Sequence, residues 1–184
     1  MGDVTELIAR AREGDRAAFD RLFELLYPEL RRIAHARLSR NVRDALMDTT
    51  VLVNECYLKF SQGDRLTPAD RVHFLSYAAT VMRSIVVDAA RAALAQRRGG
   101  DAEHVTLSTD VAEAAAAPEN EILDVHAALE EINKLDPRLV RVVEMRYFGG
   151  MKDEDIAQAF GLTDRTVRRD WEKARLLLSK ALRG

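Results

Sequence analysis

Two hydroxyls, Thr49 and Thr50, stand side by side at the head of the stretch DTTVLVNECYLKF, Asp48 to Phe60, in which Val51, Leu52, Val53, Tyr57, Leu58 and Phe60 supply apolar surface. On the first turn of a helix, hydroxyls of this kind have two uses. They cap, accepting a backbone N–H that lacks an intrahelical partner, or they receive a phosphoryl group and so add charge. A second group is basic: from Thr163 onward there are seven Lys and Arg residues (Arg165, Arg168, Arg169, Lys173, Arg175, Lys180, Arg183) against three acids, Asp164, Asp170 and Glu172. Catalytic chemistry finds little to work with. The four histidines, His35, His73, His104 and His126, lack metal-ligand spacing such as H-E-x-x-H. There is no phosphate-binding glycine loop, and no serine or cysteine nucleophile has a convincing partner. No enzyme, metal or cofactor is expected. Cys56 is the lone cysteine and lies among apolar residues at helical spacing, which suits an inert buried thiol, with a redox-sensing one as the alternative.

At 184 residues, 47% hydrophobic and 32% charged, the chain can bury one medium core or two small ones. No apolar stretch approaches the roughly 20 residues of a membrane span, and the N-terminus MGDVTELIAR has acids and no hydrophobic signal core. Neither export nor a membrane anchor is expected, and the location is read as cytoplasmic. The net charge of −2 conceals segregation: residues 1–100 hold 16 basic against 13 acidic side chains, 101–130 none against 8, and 131–184 12 against 9. Two mildly basic blocks flank an acidic connector, and binding partners respond to such local fields rather than to the average.

The elements that position these groups read as helices throughout. Leu7, Ile8 and Ala11 mark a short helix, REGD at 12–15 interrupts it, and Phe19, Leu22, Phe23, Leu26, Leu30 and Ile33 mark a longer one that Pro28 is expected to kink or restart. A third helix opens near Asp48 and a fourth runs from about Ala69 or Val72 to Ala95, with a Gly/Pro/Ser loop at 61–70 between them. QRRGGD ends the fourth with basic residues and then glycines. The acidic, alanine-rich segment up to Glu121 has no sustained amphipathic face. Beyond it Ile122, Val125, Leu129 and Ile132 form one stripe and Leu135, Leu139, Val142 and Val143 another, divided at LDPRL, where Asp136 is a cap and Pro137 a first-turn residue. The reading is an all-α chain of two small helical domains, 1–98 and 122–184, joined by a flexible acidic linker over 99–121.

In MKDEDIAQAFGLTDRTVRRDWEKARLLLSKAL, a helix from Asp153 to Phe160 turns Ile156, Ala157 and Phe160 inward, Gly161 permits a tight turn, Leu162 plugs the angle, and Thr163 or Asp164 caps a second helix. With Arg165 at zero and about 100° per residue, Val167, Trp171, Ala174 and Leu178 fall near 200°, 240°, 180° and 220°, while Arg168 and Arg169 fall near 300° and 40°. An apolar stripe thus opposes a basic one. This is a helix-turn-helix whose second helix fits a major groove, with Thr163, Arg165, Thr166, Arg168, Arg169 and Lys173 as DNA-contacting candidates and Trp171 assigned to the core. A solvated face on an ordinary helical hairpin is the alternative.

With these residues in place, the chain resembles the two-domain extracytoplasmic-function (ECF) sigma factors of bacterial RNA polymerase. LDPRLVRVVEMRYFGGMKDEDIAQAFGLTDRTVRRDWEKARLLL is similar to their fourth region, which reads the minus-thirty-five element. LVNECYLKF with HFLSYAATVMRSIVVDAARAALAQRRGG is similar to their second region, which binds the polymerase clamp helices and opens the minus-ten element. The resemblance implies core RNA polymerase and promoter DNA as partners. It places Asp48, Leu52, Glu55 and Leu58 on the helix that meets the clamp, and the loop Ser61 to Arg71, with Arg65, where a flipped base is captured. It lays His73, Tyr77, Arg83, Arg91, Arg97 and Arg98 along the separated strand, with simple core packing as the alternative for Phe74, Tyr77 and Met82. One departure stands out. Where most of the family has an acidic run before its Leu-Val-Gln-Glu motif, this chain has Asp48-Thr49-Thr50-Val51 before Leu52-Val53-Asn54-Glu55. That resembles the subgroup whose activity depends on a Ser/Thr protein kinase. Thr50 occupies an acid position and is the better phosphoacceptor, Thr49 the second. A stand-alone helix-turn-helix regulator that binds duplex DNA without polymerase is the competing function.

Overall fold

The computed structural model describes residues 2–38, 46–62, 68–99 and 118–183. Arg65, the segment 100–117 and the side chain of Arg98 lie outside them. Among the described residues every regular element is a helix and none is a strand. The first, α1 (Gly2–Arg12), buries Leu7, Ile8 and Ala11 and is followed by a turn at Gly14, whose φ of 94° suits a residue without Cβ. Asp15 then accepts the Ala18 N–H at 3.0 Å and caps α2 (Arg16–Arg37). The helix does not restart at Pro28: one helix runs through it. Packing on both sides explains this, since Phe19, Leu22, Phe23 and Leu26 before the proline and Leu30, Ile33 and Ala34 after it are all buried in the same core. Burial of that stripe outweighs the roughly 3 kcal/mol that an interior proline costs.

Two helices complete this half. Asp48 caps α3 (Thr49–Gln62), and Asp70 accepts the His73 N–H at 2.9 Å at the start of α4 (Arg71–Gly99). Their apolar faces meet with Phe60 stacked on Phe74, ring centroids 5.2 Å apart. Cys56 is fully buried, and burial pushes its thiol up to about 12, so it stays a protonated, inert core residue.

The C-terminal half starts at α5 (Pro118–Leu135). It begins at Pro118 rather than Ile122, because a proline at the first position and Glu119 and Glu121 in the first turn suit a helix start. Asp136 accepts the Arg138 N–H at 3.2 Å and caps α6 (Pro137–Val143). A π-helical turn follows over Glu144–Phe148, which the periodicity of the sequence did not announce. It closes where the Gly149 N–H donates to the Glu144 carbonyl at 2.8 Å. Then come α7 (Asp153–Phe160) and α8 (Asp164–Ala181), hinged at Gly161 with φ 63° and ψ 36°. The Leu162 N–H reaches back to the Ala157 carbonyl at 2.8 Å across that left-handed residue.

The two halves share buried surface. One cluster runs from Leu7 and Ile8 through Leu52 and Phe74 to Val142, Met145, Met151, Ile156, Ala157 and Val167. A smaller one joins Leu129, Ile132, Leu139, Val140, Val143 and Ala174, and Trp171 packs against both.

Two glycines should differ in what they tolerate. A Cβ at Gly161 meets nothing within 4 Å, so Gly161→Ala should cost only the left-handed backbone, about 1–2 kcal/mol in urea denaturation. A Cβ at Gly149 would sit 2.6 Å from the Met145 carbonyl oxygen, so Gly149→Ala should destabilise more than Gly161→Ala. The reverse order would count against the π-helical turn.

Candidate nucleic-acid and polymerase interface

The basic stripe of α8 stands on a firmly built helix. Thr163 accepts the Thr166 N–H at 3.3 Å and the two hydroxyls lie 3.0 Å apart, so both residues serve the cap. Val167 and Ala174 are fully buried and Trp171 half-buried, as the stripe required. Arg165, Arg168, Arg169 and Lys173 are exposed. Lys173 Nζ lies 3.7 Å from Asp136 Oδ2, and Arg169 Nε 3.9 Å from Asp170 Oδ1. Buried Asp170 is itself paired with Arg138 Nε at 2.8 Å, tying α8 to α6. Asp153, at the start of α7, takes Arg146 Nη1 on Oδ1 at 2.6 Å and Arg168 Nε on Oδ2 at 3.3 Å. The Arg146 guanidinium lies 4.9 Å from the Trp171 ring centre. Sequence reasoning gave Asp153 no role; its place on the first turn of α7 shows the carboxylate but not its partners.

On α3 the adjacent threonines part company. Asp48 Oδ1 accepts the N–H groups of Thr50 at 2.7 Å and Val51 at 2.9 Å, so the aspartate is the cap. Thr49 is 8% exposed, its hydroxyl 3.4 Å from His35 Nδ1, whereas Thr50 faces solvent. The exposed face of the helix carries Thr50, Val51, Glu55 and Leu58. Leu52, expected on that face, is 1% exposed and packs in the core, because it lies one residue beyond Val51 and so about 100° round the helix. Val51 takes its place on the surface.

Along α4 the candidate strand-binding residues also divide. His73 is exposed with Nδ1 2.9 Å from Asp70 Oδ1, and Tyr77 is exposed with its ring edge-on to Phe60 at 4.9 Å. Exposed Arg91 lies 3.8 Å from Asp88, which also binds Lys59 of α3 at 3.0 Å. Arg97 pairs with fully buried Glu119 at 2.9 Å, joining the end of α4 to the start of α5. Arg83 is only 14% exposed: Nε meets Glu144 Oε1 at 2.9 Å, Nη2 lies 3.5 Å from Glu130 and Nη1 3.0 Å from His126 Nδ1. Thr80 donates to the other Glu144 oxygen at 2.9 Å. Here α4 is joined to α5 and to the π-helical turn through charge as well as core.

Among the described residues no group of three or more His, Cys, Asp or Glu side chains is placed to hold a metal ion, and no helix is long and apolar enough to cross a membrane. The family model described as ECF sigma factor matches the chain over residues 1–184. No curated protein matches it.

Burial first, and the Arg83 charge next, hold His126 below its ordinary value of 6.5; Arg91 acts the same way, while Glu130 and Asp88 oppose it. The unfolded chain therefore binds a proton more readily at this site than the folded one. Stability should be intact above about pH 6.5 and fall as the pH drops toward the lower folded value, because the slope of stability with pH is positive wherever the unfolded state holds more protons. Urea titrations between about pH 7.5 and 5.5 should show a shallower loss for His126→Gln than for wild type. Identical slopes would remove His126 from the interface balance.

Proposed function

As the chain belongs to the ECF sigma factor family, and so is an alternative sigma factor acting in transcription initiation, we propose that it meets core RNA polymerase through the exposed face of α3 and is switched there by phosphate on Thr50. The segment 1–98 acts as the polymerase-binding and promoter-melting domain, the chain from α5 onward as the reader of the upstream element, and the segment between α4 and α5 as the linker. Asp48, Val51, Glu55 and Leu58 form the contact with the clamp helices. Arg165, Thr166, Arg168, Arg169 and Lys173 face the upstream duplex. His73, Tyr77 and Arg91 follow the opened minus-ten strand, and Arg83 and Arg97 join them once their carboxylate partners are released.

One observation carries the switch: Asp48 does the capping, Thr49 is buried, and of the two threonines Thr50 is the one that faces solvent at the helix start. A hydroxyl free of structural duty at that end of a helix is a fitting phosphoacceptor, since an anion there is favoured by about 0.3–1 kcal/mol before any partner is counted. The phosphate adds about −1.5 to −2 charges and three acceptor oxygens for cations on the polymerase. A Ser/Thr protein kinase is the implied partner. The free chain stays in its closed form, with Arg83 on Glu144, until the polymerase separates the two halves.

Core polymerase affinity should distinguish the forms at one fixed salt concentration. With one or two charge-assisted bonds of about 1.5–3 kcal/mol each, protein phosphorylated at Thr50 should bind roughly tenfold to a hundredfold or more tighter than unmodified protein, and Thr50→Val should match the unmodified form. Equal, tight binding by all three would leave the sigma function and remove the switch. Absence of binding by any would favour a regulator that works without polymerase.

A further inference from the structure

The arginines on the outer face of α8 differ in how they are held. Arg165 and Arg169 project into solvent, and Arg169 Nε lies 3.9 Å from its chain neighbour Asp170. Arg168 is also largely exposed, at 63%, yet its guanidinium is fixed at one corner, with Nε 3.3 Å from Asp153 Oδ2. Asp153 is in turn 15% exposed and held by Arg146 at 2.6 Å, and Arg146 lies over Trp171, which packs against both core clusters. A continuous chain of contacts runs from core to Trp171, Arg146, Asp153 and Arg168. It begins and ends on α8 and passes through the π-helical turn and α7.

An arginine gripped through Nε presents its two Nη groups at the far edge as an oriented pair of donors. That pair matches O6 and N7 of guanine in the major groove, the commonest specific contact between an arginine and a base. Holding the side chain in advance removes the rotamer freedom that would otherwise be lost on binding. The Asp153 carboxylate, shared by two guanidiniums, contributes little repulsion toward phosphates. The more loosely held arginines and a lysine suit the opposite task of following the backbone.

We propose that Arg168 is the base-reading residue of α8, selecting a guanine in the upstream promoter element, and that Asp153 is its positioning residue; Arg165, Arg169 and Lys173 supply phosphate contacts. The proposal rests on the sigma-factor reading above.

The test uses holoenzyme reconstituted from core RNA polymerase and the full chain, on a promoter library randomised in the upstream element, at several salt concentrations. Wild type should prefer guanine at one position by roughly tenfold to a hundredfold. Arg168→Ala and Arg168→Lys should both lose that preference, the lysine keeping the charge but not the fork. Asp153→Asn should weaken the preference while leaving the dependence of binding on salt unchanged. Arg169→Ala should keep the preference, weaken binding evenly across the library and reduce the salt slope by about one phosphate contact. Guanine preference surviving in both Arg168 variants would overturn the reading role, and full preference in Asp153→Asn would overturn the positioning role. Arg168→Lys touches only an exposed side chain, so it decides the matter even if an Asp153 variant folds poorly. A wild-type holoenzyme that prefers guanine at no upstream position would overturn the reading role of Arg168, and one with no preference for any base there would overturn the assignment of α8 to the upstream element as well.

Discussion

Glu144 is a buried carboxylate in a chain whose halves are distant in sequence, and its satisfaction by Arg83 and Thr80 sets how those halves meet. Removing such a group from water costs several kcal/mol, which only close pairing and hydrogen bonds to both oxygens offset. Arg83 on one oxygen and Thr80 on the other, at 2.9 Å each, meet that condition. Both donors come from α4, so the acid can be buried only when the π-helical turn lies against that helix. The ion pair therefore acts less as a source of stability than as a constraint on register, since a shifted docking would leave a charge unpaired in a poorly hydrated place.

The widened turn makes this constraint bear on the other end of the molecule. Over Glu144–Phe148 the turn directs Glu144 toward α4 and Arg146 toward Asp153 and Trp171. One short segment thus anchors the helix expected to follow the opened strand and the helix expected to read the upstream duplex. Gly149 has no Cβ because the Met145 carbonyl occupies that space, so the turn itself leaves one residue type available at its end. A structure in which the same five residues hold both surfaces is suited to presenting them together or releasing them together.

Much of the local structure was legible in the sequence because it depends on near neighbours. Asp136 before Pro137, Gly161 between the last two helices, and the opposed stripes of α8 all act within a few residues and were read correctly. The inert buried Cys56 followed from its spacing. Pro28 does not restart the helix, because local propensity yields to burial on both sides of a long helix. Leu52 and Val51 exchange places between core and surface, a matter of angular position on a helix whose apolar residues are nearly continuous. Glu144, Asp153 and the confinement of Arg83 were not legible, because their partners lie far away in the sequence or across a turn. A charge counted in a sequence carries no sign of whether it will face water, nucleic acid or an opposite charge.

The central claim is that the free chain holds its halves together through Arg83 and Glu144 and that core polymerase parts them. Spin labels on cysteines introduced at the exposed positions Glu13 and Lys180 would read the separation directly, since Cys56 is buried and unreactive. A single narrow distance distribution in the free protein, replaced by a longer one on binding core polymerase, is the expected result. The same distribution in both states, or a broad one in the free protein, would contradict it.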